Sequence, residues 1–511
     1  MNFREVFHNF GLLLVVLSLI LGITAAWSAL GVGQGDPAEK QALLALLLSA
    51  GAGLTAGGLL YLPTRSATRV LGRREALLLV ALGWLVSAAL GALPFYLWAH
   101  LDGDPRPHPF DAFVNCYFEA MSGFTTTGAT VLSKIASMPR SLLLWRALTH
   151  WLGGLGIVVL FVAVLPSLGV GGKRLFRMEA PGPEKEGVRP HIRETARILW
   201  LIYLGLTITQ AVALRLAGMG WFDAVCHTFA TLATGGFSTS DTSIGGYDSV
   251  AIDIIIIVFM VAAGVNFGLY YQLIRGRVRQ VLQDGELRGY LTILLLGSLF
   301  VVVFLHGHTL QTTDGRLHDG SPARAALHGT FQAVSVQTTT GFCTADFNQW
   351  PLLARGVMIL LMFIGASAGS TGGGIKVIRI LICLKVLASE IERVFRPNVV
   401  RPVKFGAHPV DADLKLATLA YVLGILVLFL LGAGLLLALE APQDIDFATA
   451  ISASVATLCN IGPGLGMVGA VENYGWFTAG SKIVMCLLMA LGRLEIFAIA
   501  VLFFPRFWRG D

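Results

Sequence analysis

Long apolar runs follow one another along almost the whole of this chain, and a backbone so arranged has few conformations open to it. The runs lie near residues 10–30, 41–62, 75–98, 141–168, 197–218, 250–274, 289–306, 353–368, 413–439 and 478–504. Roughly 20 residues at 1.5 Å each cross the hydrocarbon core of a bilayer, so these runs predict about ten transmembrane segments. Inside lipid, N–H and C=O groups meet no water, and only helices or closed barrels satisfy them. Helices fit runs of this length. Composition agrees, since 13% of residues are charged and mean hydropathy is +0.72, against roughly 25% charged in soluble domains. No long polar block separates the runs, so one integral unit is expected, without an appended soluble domain. The first run, with Arg4 ahead of it and "ITAAWSA" at its end, superficially resembles a secretory signal. Its spanning length and the immediate return of a second run predict a mature span.

The six cysteines, at 116, 226, 343, 383, 459 and 486, form no CxxC pair and fall mostly within apolar segments. Small apolar packers are expected, not a zinc site or a disulfide framework. Basic residues cluster in alternate loops: Arg65, Arg69, Arg73 and Arg74; Lys173, Arg174, Arg177, Lys185, Arg189 and Arg193; Arg275, Arg277, Arg279 and Arg288; Lys376, Arg379, Lys385, Arg393, Arg396, Arg401 and Lys404. The positive-inside rule places these loops and both termini in the cytoplasm. It also accounts for the net charge of +6 without a nucleic-acid partner.

Between apolar runs, one kind of stretch recurs: "MSGFTTTGAT" (121–130), "LATGGFSTSD" (232–241), "VQTTTGFCTAD" (336–346) and "TLCNIGPGLG" (457–466). With Gly128, Gly235, Gly341 and Gly462 taken as equivalent, the spacings are 107, 106 and 121. A fourfold repeat of this period predicts parallel copies of a span, re-entrant segment, span unit about an axis normal to the membrane. About a dozen helical residues precede each glycine, too few to span. They read as half-membrane pore helices, with Asp111, Asp223, Ser321 and Asp446 as candidate caps. Irregular backbone at membrane depth is tolerated where it lines a water-filled path, and carbonyl rings replace the hydration shell of an alkali cation. The threonines at 125–127 and 338–340 add oxygens or brace the loops. The acidic residues Asp241, Asp248, Asp346 and Glu472 read chiefly as solvated loop charge and secondarily as a cation-concentrating mouth.

Further motifs include "HWLGGLGIVVL" (150–160), "GVNF" (264–267), "TTTGFCTADFNQWP" (338–351), "GASAGSTGGGIKVIR" (365–379), "NIGPGLG" (460–466) and "GRLE" (492–495). Together these stretches resemble the Trk/Ktr/HKT superfamily of potassium transporters, in particular its TrkH-type pore-forming subunits. The resemblance implies an all-α polytopic membrane protein. Four pseudo-repeated helix, pore-helix and filter-loop, helix units would surround one central pore, with two extra N-terminal transmembrane helices. The implied divisions are 1–70 for the N-terminal pair, then pore repeats at 71–180, 181–280, 281–400 and 401–511. The implied potassium filter is Thr126, Thr127 and Gly128; Ala233, Thr234 and Gly235; Thr339, Thr340 and Gly341; and Asn460, Ile461 and Gly462. Some sodium-preferring plant relatives carry Ser at the first glycine, so by the resemblance Gly128 argues for potassium.

Glycine is a poor helix former, so "GASAGSTGGGIK" predicts a mobile loop inside the bilayer. By the resemblance it is an intramembrane gate, carried here by Gly369, Ser370, Thr371, Gly372, Gly373 and Gly374, with Lys376. A cytoplasmic turn is the plainer alternative. A phosphate-binding P-loop is excluded: Ile375 separates glycine from Lys376, Val377 replaces the magnesium-binding hydroxyl, and no strand precedes. Arg493, deep in the last run, is expected to face a water-filled path or a partner. Resemblance makes it an electrostatic barrier, and an ion pair with Glu495 is the structural alternative. No enzyme chemistry or organic cofactor is expected, and potassium is cargo. The implied setting is the bacterial inner membrane. The implied assembly is a homodimer on cytoplasmic TrkA-type nucleotide-binding subunits, with the basic segments 171–197 and 376–404 as candidate docking surfaces. Sodium-permeable or cation-coupled transport within the superfamily stays open.

Overall fold

The computed structural model describes residues 1–32, 37–65, 72–101, 108–154, 156, 192–397, 403–405 and 408–509. The basic segment 173–189, Arg69 and Arg401 lie outside the described residues. Six described helices are long and apolar enough to cross a membrane: Phe3–Val32, Ala38–Thr64, Arg74–Leu101, Ala196–Leu216, Gly285–Leu305 and Ala412–Leu439. Two bent pairs raise the figure to eight. All eight fall on expected runs, and the two expected runs that are not among them are those at 353–368 and 141–168. Of the run at 353–368, only Leu352–Phe363 is helical, and the run at 141–168 is helical over Arg140–Gly154, beyond which it leaves the described residues except at Gly156.

Breaks in the helices have local causes. Val250–Ala263 and Phe267–Ile274 meet at 94°, where Asn266 starts the second helix by accepting a hydrogen bond from the Gly268 N–H at 2.8 Å. Ala479–Arg493 turns by 115° into Phe497–Phe503 through Glu495 and Ile496, both left-handed (φ 54° and 62°). Leu352–Phe363 gives way to a loop whose ends pair, Ile364 with Ile375, before Val377–Phe395 resumes as helix.

Four short helices lie between longer ones: Phe113–Phe124, Trp221–Leu232, Pro322–Gln337 and Phe447–Leu458. These are the half-membrane helices read from the sequence. Of the four candidate caps only Asp446 does that work, accepting from the Thr449 N–H at 3.3 Å. Asp111 caps a preceding 3-10 turn through the His108 N–H. Asp223 lies inside its helix and accepts from the Thr239 hydroxyl at 2.6 Å. Ser321 occupies the cap position without a side-chain bond.

Burial separates the inner elements from the outer ones. The C-terminal halves of all four short helices are buried, whereas Ala412–Leu439 exposes Leu416, Leu419, Leu423, Leu426 and Leu430. A helix apolar all round, with its exposed leucines in such a stripe, faces hydrocarbon. The first two helices pack with Arg73–Leu101 and the first short helix in one apolar cluster that includes Leu13, Leu17, Ala45, Trp84 and Phe118. All six cysteines are free, and five are buried.

Candidate ion-conducting site

Each short helix ends the same way. The second residue beyond it is left-handed: Thr126 (φ 54°), Thr234 (54°), Thr339 (59°) and Asn460 (57°). For the three β-branched threonines such angles are rare and cost on the order of 1–3 kcal/mol each, the kind of strain that clusters at functional sites, while asparagine adopts them more readily. The following residues, Thr127, Gly235, Thr340 and Ile461, donate their N–H to the carbonyls of Ser122, Ala230, Ser335 and Ala456, in every case five residues back at 2.8 Å. Next come Gly128, Gly236, Gly341 and Gly462, with φ of 81°, 79°, 82° and 98°.

This pattern shifts the register of the second segment by one residue. The equivalent glycine is Gly236, not Gly235, and the spacings become 236 − 128 = 108, 341 − 236 = 105 and 462 − 341 = 121. Gly235 stands where the other segments carry Thr127, Thr340 and Ile461. Ala233 stands where they carry Thr125, Thr338 and Cys459. A Gly-Gly pair offers two candidates for one role, and only the φ angles distinguish them.

The four glycines close a circuit. A Cβ on Gly128 would meet the carbonyl oxygen of Gly235, one on Gly236 that of Thr340, one on Gly341 that of Ile461, and one on Gly462 that of Thr127, all closer than the 3.0 Å real Cβ atoms respect. Every segment thus abuts the next, and the fourth returns to the first. The missing side chains let four backbones approach one axis. The four helix C-termini converge here, and their partial negative ends favour a cation.

Side chains brace the circuit from outside. Hydroxyls pair at 2.8 Å between Thr125 and Thr127 and between Thr338 and Thr340. The Asn460 amide donates to the Thr127 hydroxyl and the Met489 carbonyl, both at 3.0 Å. Tyr474 donates to the Gly462 carbonyl at 2.7 Å. Sequence reading missed a buried ion pair behind the first two segments. Arg146 Nε donates to Glu119 at 2.6 Å and its Nη1 to the Ser238 carbonyl at 2.9 Å, while Glu119 accepts from the Thr130 hydroxyl and the Val131 N–H. The signal was present, because a Glu and an Arg stood inside apolar stretches where charge is expensive. Replacing Arg146 by Met leaves Glu119 charged and unpaired, and is expected to cost about 3–5 kcal/mol. Thermal unfolding in detergent, compared with a Glu119→Gln, Arg146→Met double variant, measures it; equal stability of all three chains would deny the pair this role.

The loop at 364–376 lies against the inner ends of these segments. The Gly373 N–H donates to the Thr339 hydroxyl at 2.7 Å, and a Cβ there would stand 2.5 Å from the Cys459 carbonyl oxygen. Thr371 bonds through N–H and hydroxyl to the Ala263 carbonyl, and the Gly369 carbonyl accepts from the Phe267 N–H at 3.0 Å. Gly372 lies near the Thr338 carbonyl oxygen, Ser370 bonds back to Ser367, and Gly374 is left-handed (φ 64°). Lys376 reaches back to the Gly372 carbonyl, closing the loop on itself. The loop is therefore packed inside the bundle and is not a peripheral turn.

Arg493 clamps the loop to a second element. Its guanidinium donates to the Thr371 carbonyl at 2.7 Å and to the carbonyls of Gly153 and Gly154 at 2.6 and 3.0 Å. Glu495 pairs with Arg379 at 2.5 Å. Among the acidic loop residues, Asp241 accepts from the Ile135 and Ala136 N–H groups, Asp248 pairs with Arg316 at 2.7 Å and Asp346 caps a 3-10 turn. Glu472 is exposed.

Four pore helices, four strained loops and a closed glycine circuit define a multi-pass membrane protein of the pore-loop cation-transport class. Residues 71–509 match the TrkH family, described as a cation transport protein, and the chain belongs to that family. It is 38% identical over 514 residues to the Trk system potassium uptake protein TrkH of Escherichia coli K12, with full coverage of both chains. Identity to the protein of that name from Halomonas elongata is 40% over 513 residues, again with full coverage. The crystal structure of the potassium transporter TrkH from Vibrio parahaemolyticus superposes with a TM-score of 0.84 at 35% identity, covering all of both chains. The family is one of transporters and not of enzymes.

Proposed function

We propose that this chain takes up potassium across the bacterial inner membrane through one central pore. The observation that carries the reading is the closed circuit in which Gly128, Gly236, Gly341 and Gly462 each abut a carbonyl of the next segment. Carbonyls so arranged supply the oxygens a dehydrating cation needs, and the names of the relatives point to potassium. The filter is assigned to 126–129, 234–237, 339–342 and 460–463. The chain divides at about residues 70, 180, 280 and 400 into an N-terminal helix pair and four pore repeats. Both termini face the cytoplasm, and the protein works as a homodimer gated by TrkA-type nucleotide-binding subunits. Of the two basic docking segments, 171–197 falls largely outside the described residues, while Val377–Phe395 exposes Leu384, Leu387, Ile391 and Val394 beside its charges.

Purified chain in liposomes under an imposed voltage, with and without the nucleotide-binding partner, tests the reading. Potassium and rubidium flux exceeding sodium and lithium flux is expected. Equal flux of all four ions would refute potassium selectivity. The loop at 369–374 is assigned as the gate. Gly373→Ala pushes it from the Cys459 carbonyl and is expected to raise potassium flux about tenfold, a bias of ~1.4 kcal/mol, with ion preference intact. Unaltered flux, with the substitution verified, would remove Gly373 from the gate.

A further inference from the structure

A cavity of about 580 Å³, lined by none of the four circuit glycines, opens between the helix Val250–Ala263, the third pore helix and the hairpin that carries His318. Asp253, in the first turn of that helix, lines it and is only 6% exposed. Among the described residues its carboxylate has neither a hydrogen-bond nor an ion-pair partner, although Asp248 close by has Arg316. A buried, unpaired carboxylate is costly, and a cation entering the cavity would relieve that cost.

The chemistry of the walls narrows the cation. Among the described residues no three His, Cys, Asp or Glu side chains are grouped to hold a metal ion. Val250, Ile257, Ala326 and Leu327 make much of the lining apolar. Arg324 and His318 also line it, in contact with each other at 2.5 Å, while the other two lining carboxylates, Asp248 and Asp314, are held by Arg316. A carboxylate site, a guanidinium and an apolar wall in one cavity match a molecule carrying an ammonium, a phosphate and hydrocarbon. From the lining residue Val250 the exposed stripe Val250, Ile254, Val258 continues along the helix, a track for acyl chains.

We propose that this cavity binds the headgroup of an aminophospholipid, phosphatidylethanolamine, with its ammonium on Asp253 and its phosphate on Arg324. The inference goes beyond transport and does not rest on which ion passes. The site also touches the transport machinery: His328 lines the cavity and bonds through Nδ1 to the Thr344 hydroxyl at 3.1 Å, three residues past Gly341. An occupant would thus press on the segment that leaves the third filter loop.

Native mass spectrometry of the full chain, released from detergent with phosphatidylethanolamine, phosphatidylglycerol or phosphatidylcholine at matched concentrations, tests it. The wild-type chain should retain phosphatidylethanolamine over phosphatidylglycerol by roughly tenfold or more, the scale of one charge-assisted bond. Asp253→Asn should erase that preference, and Arg324→Gln should weaken retention of phosphatidylethanolamine and phosphatidylcholine alike. Thermal unfolding verifies that both variants are folded. Equal retention by wild type and a folded Asp253→Asn chain would overturn the site. Displacement by millimolar free ethanolamine with no lipid preference would reassign it to a soluble amine and overturn the lipid claim.

Discussion

Gly128→Ser is expected to lower the preference for potassium over sodium by tenfold or more while leaving the chain folded and conducting. The position is doubly intolerant. Its φ of 81° lies where L side chains are strained, and a Cβ there meets the Gly235 carbonyl oxygen. That obstacle is backbone and cannot rotate aside, so the carbonyl must move, and the oxygen spacing that separates two alkali cations moves with it. A tenfold loss corresponds to ~1.4 kcal/mol, a modest demand on a displaced ligand layer. Gly236→Ser should behave alike, because it meets the Thr340 carbonyl in the same way. Cation competition in the liposome assay decides the matter; full potassium preference in both variants would mean that the glycine circuit is not the filter.

Arg493→Gln should raise resting potassium flux about tenfold without changing ion preference. The guanidinium joins the Thr371 carbonyl of the loop to the Gly153 and Gly154 carbonyls, so its removal frees the loop from a neighbouring element. It also removes a positive charge. For a cation passing within roughly 10 Å at an effective dielectric near 20, the repulsion is about 1.7 kcal/mol, enough by itself for a tenfold change. Arg493→Lys separates the two effects, since an ammonium keeps the charge but lacks the planar fork that serves three carbonyls. A small rise with Lys and a large one with Gln assigns the barrier to charge, while equal rises assign it to the clamp. Flux unaltered in both variants would sink the assignment of Arg493 to the pathway.

Much of this protein is legible in one dimension because bilayer physics is severe. Run length and hydropathy identified its membrane-embedded helices, and four Gly/Thr stretches at near-constant spacing announced the fourfold loops. The family followed from motifs such as "TTTGFCTADFNQWP" and "GASAGSTGGGIKVIR". The misses are equally physical. The glycines after the run at 353–368 announced its interruption, although hydropathy could not show that the helix stops at Phe363, where the chain turns to pair Ile364 with Ile375. The second of the four loops was aligned one residue early because "TGG" contains two glycines, and only the backbone angles show that Gly236 is the left-handed one.

By itself the sequence determined the solvent this chain folds in, the helical class that solvent demands, and the number of loops at membrane depth, since each follows from local composition and period. Only the tertiary structure decided which glycine abuts which carbonyl, that Arg146 and Glu119 pair across 27 residues, and that Arg493 clamps Thr371 from 122 residues away. Those contacts join residues distant in the chain, and no local preference encodes a partner that arrives from elsewhere.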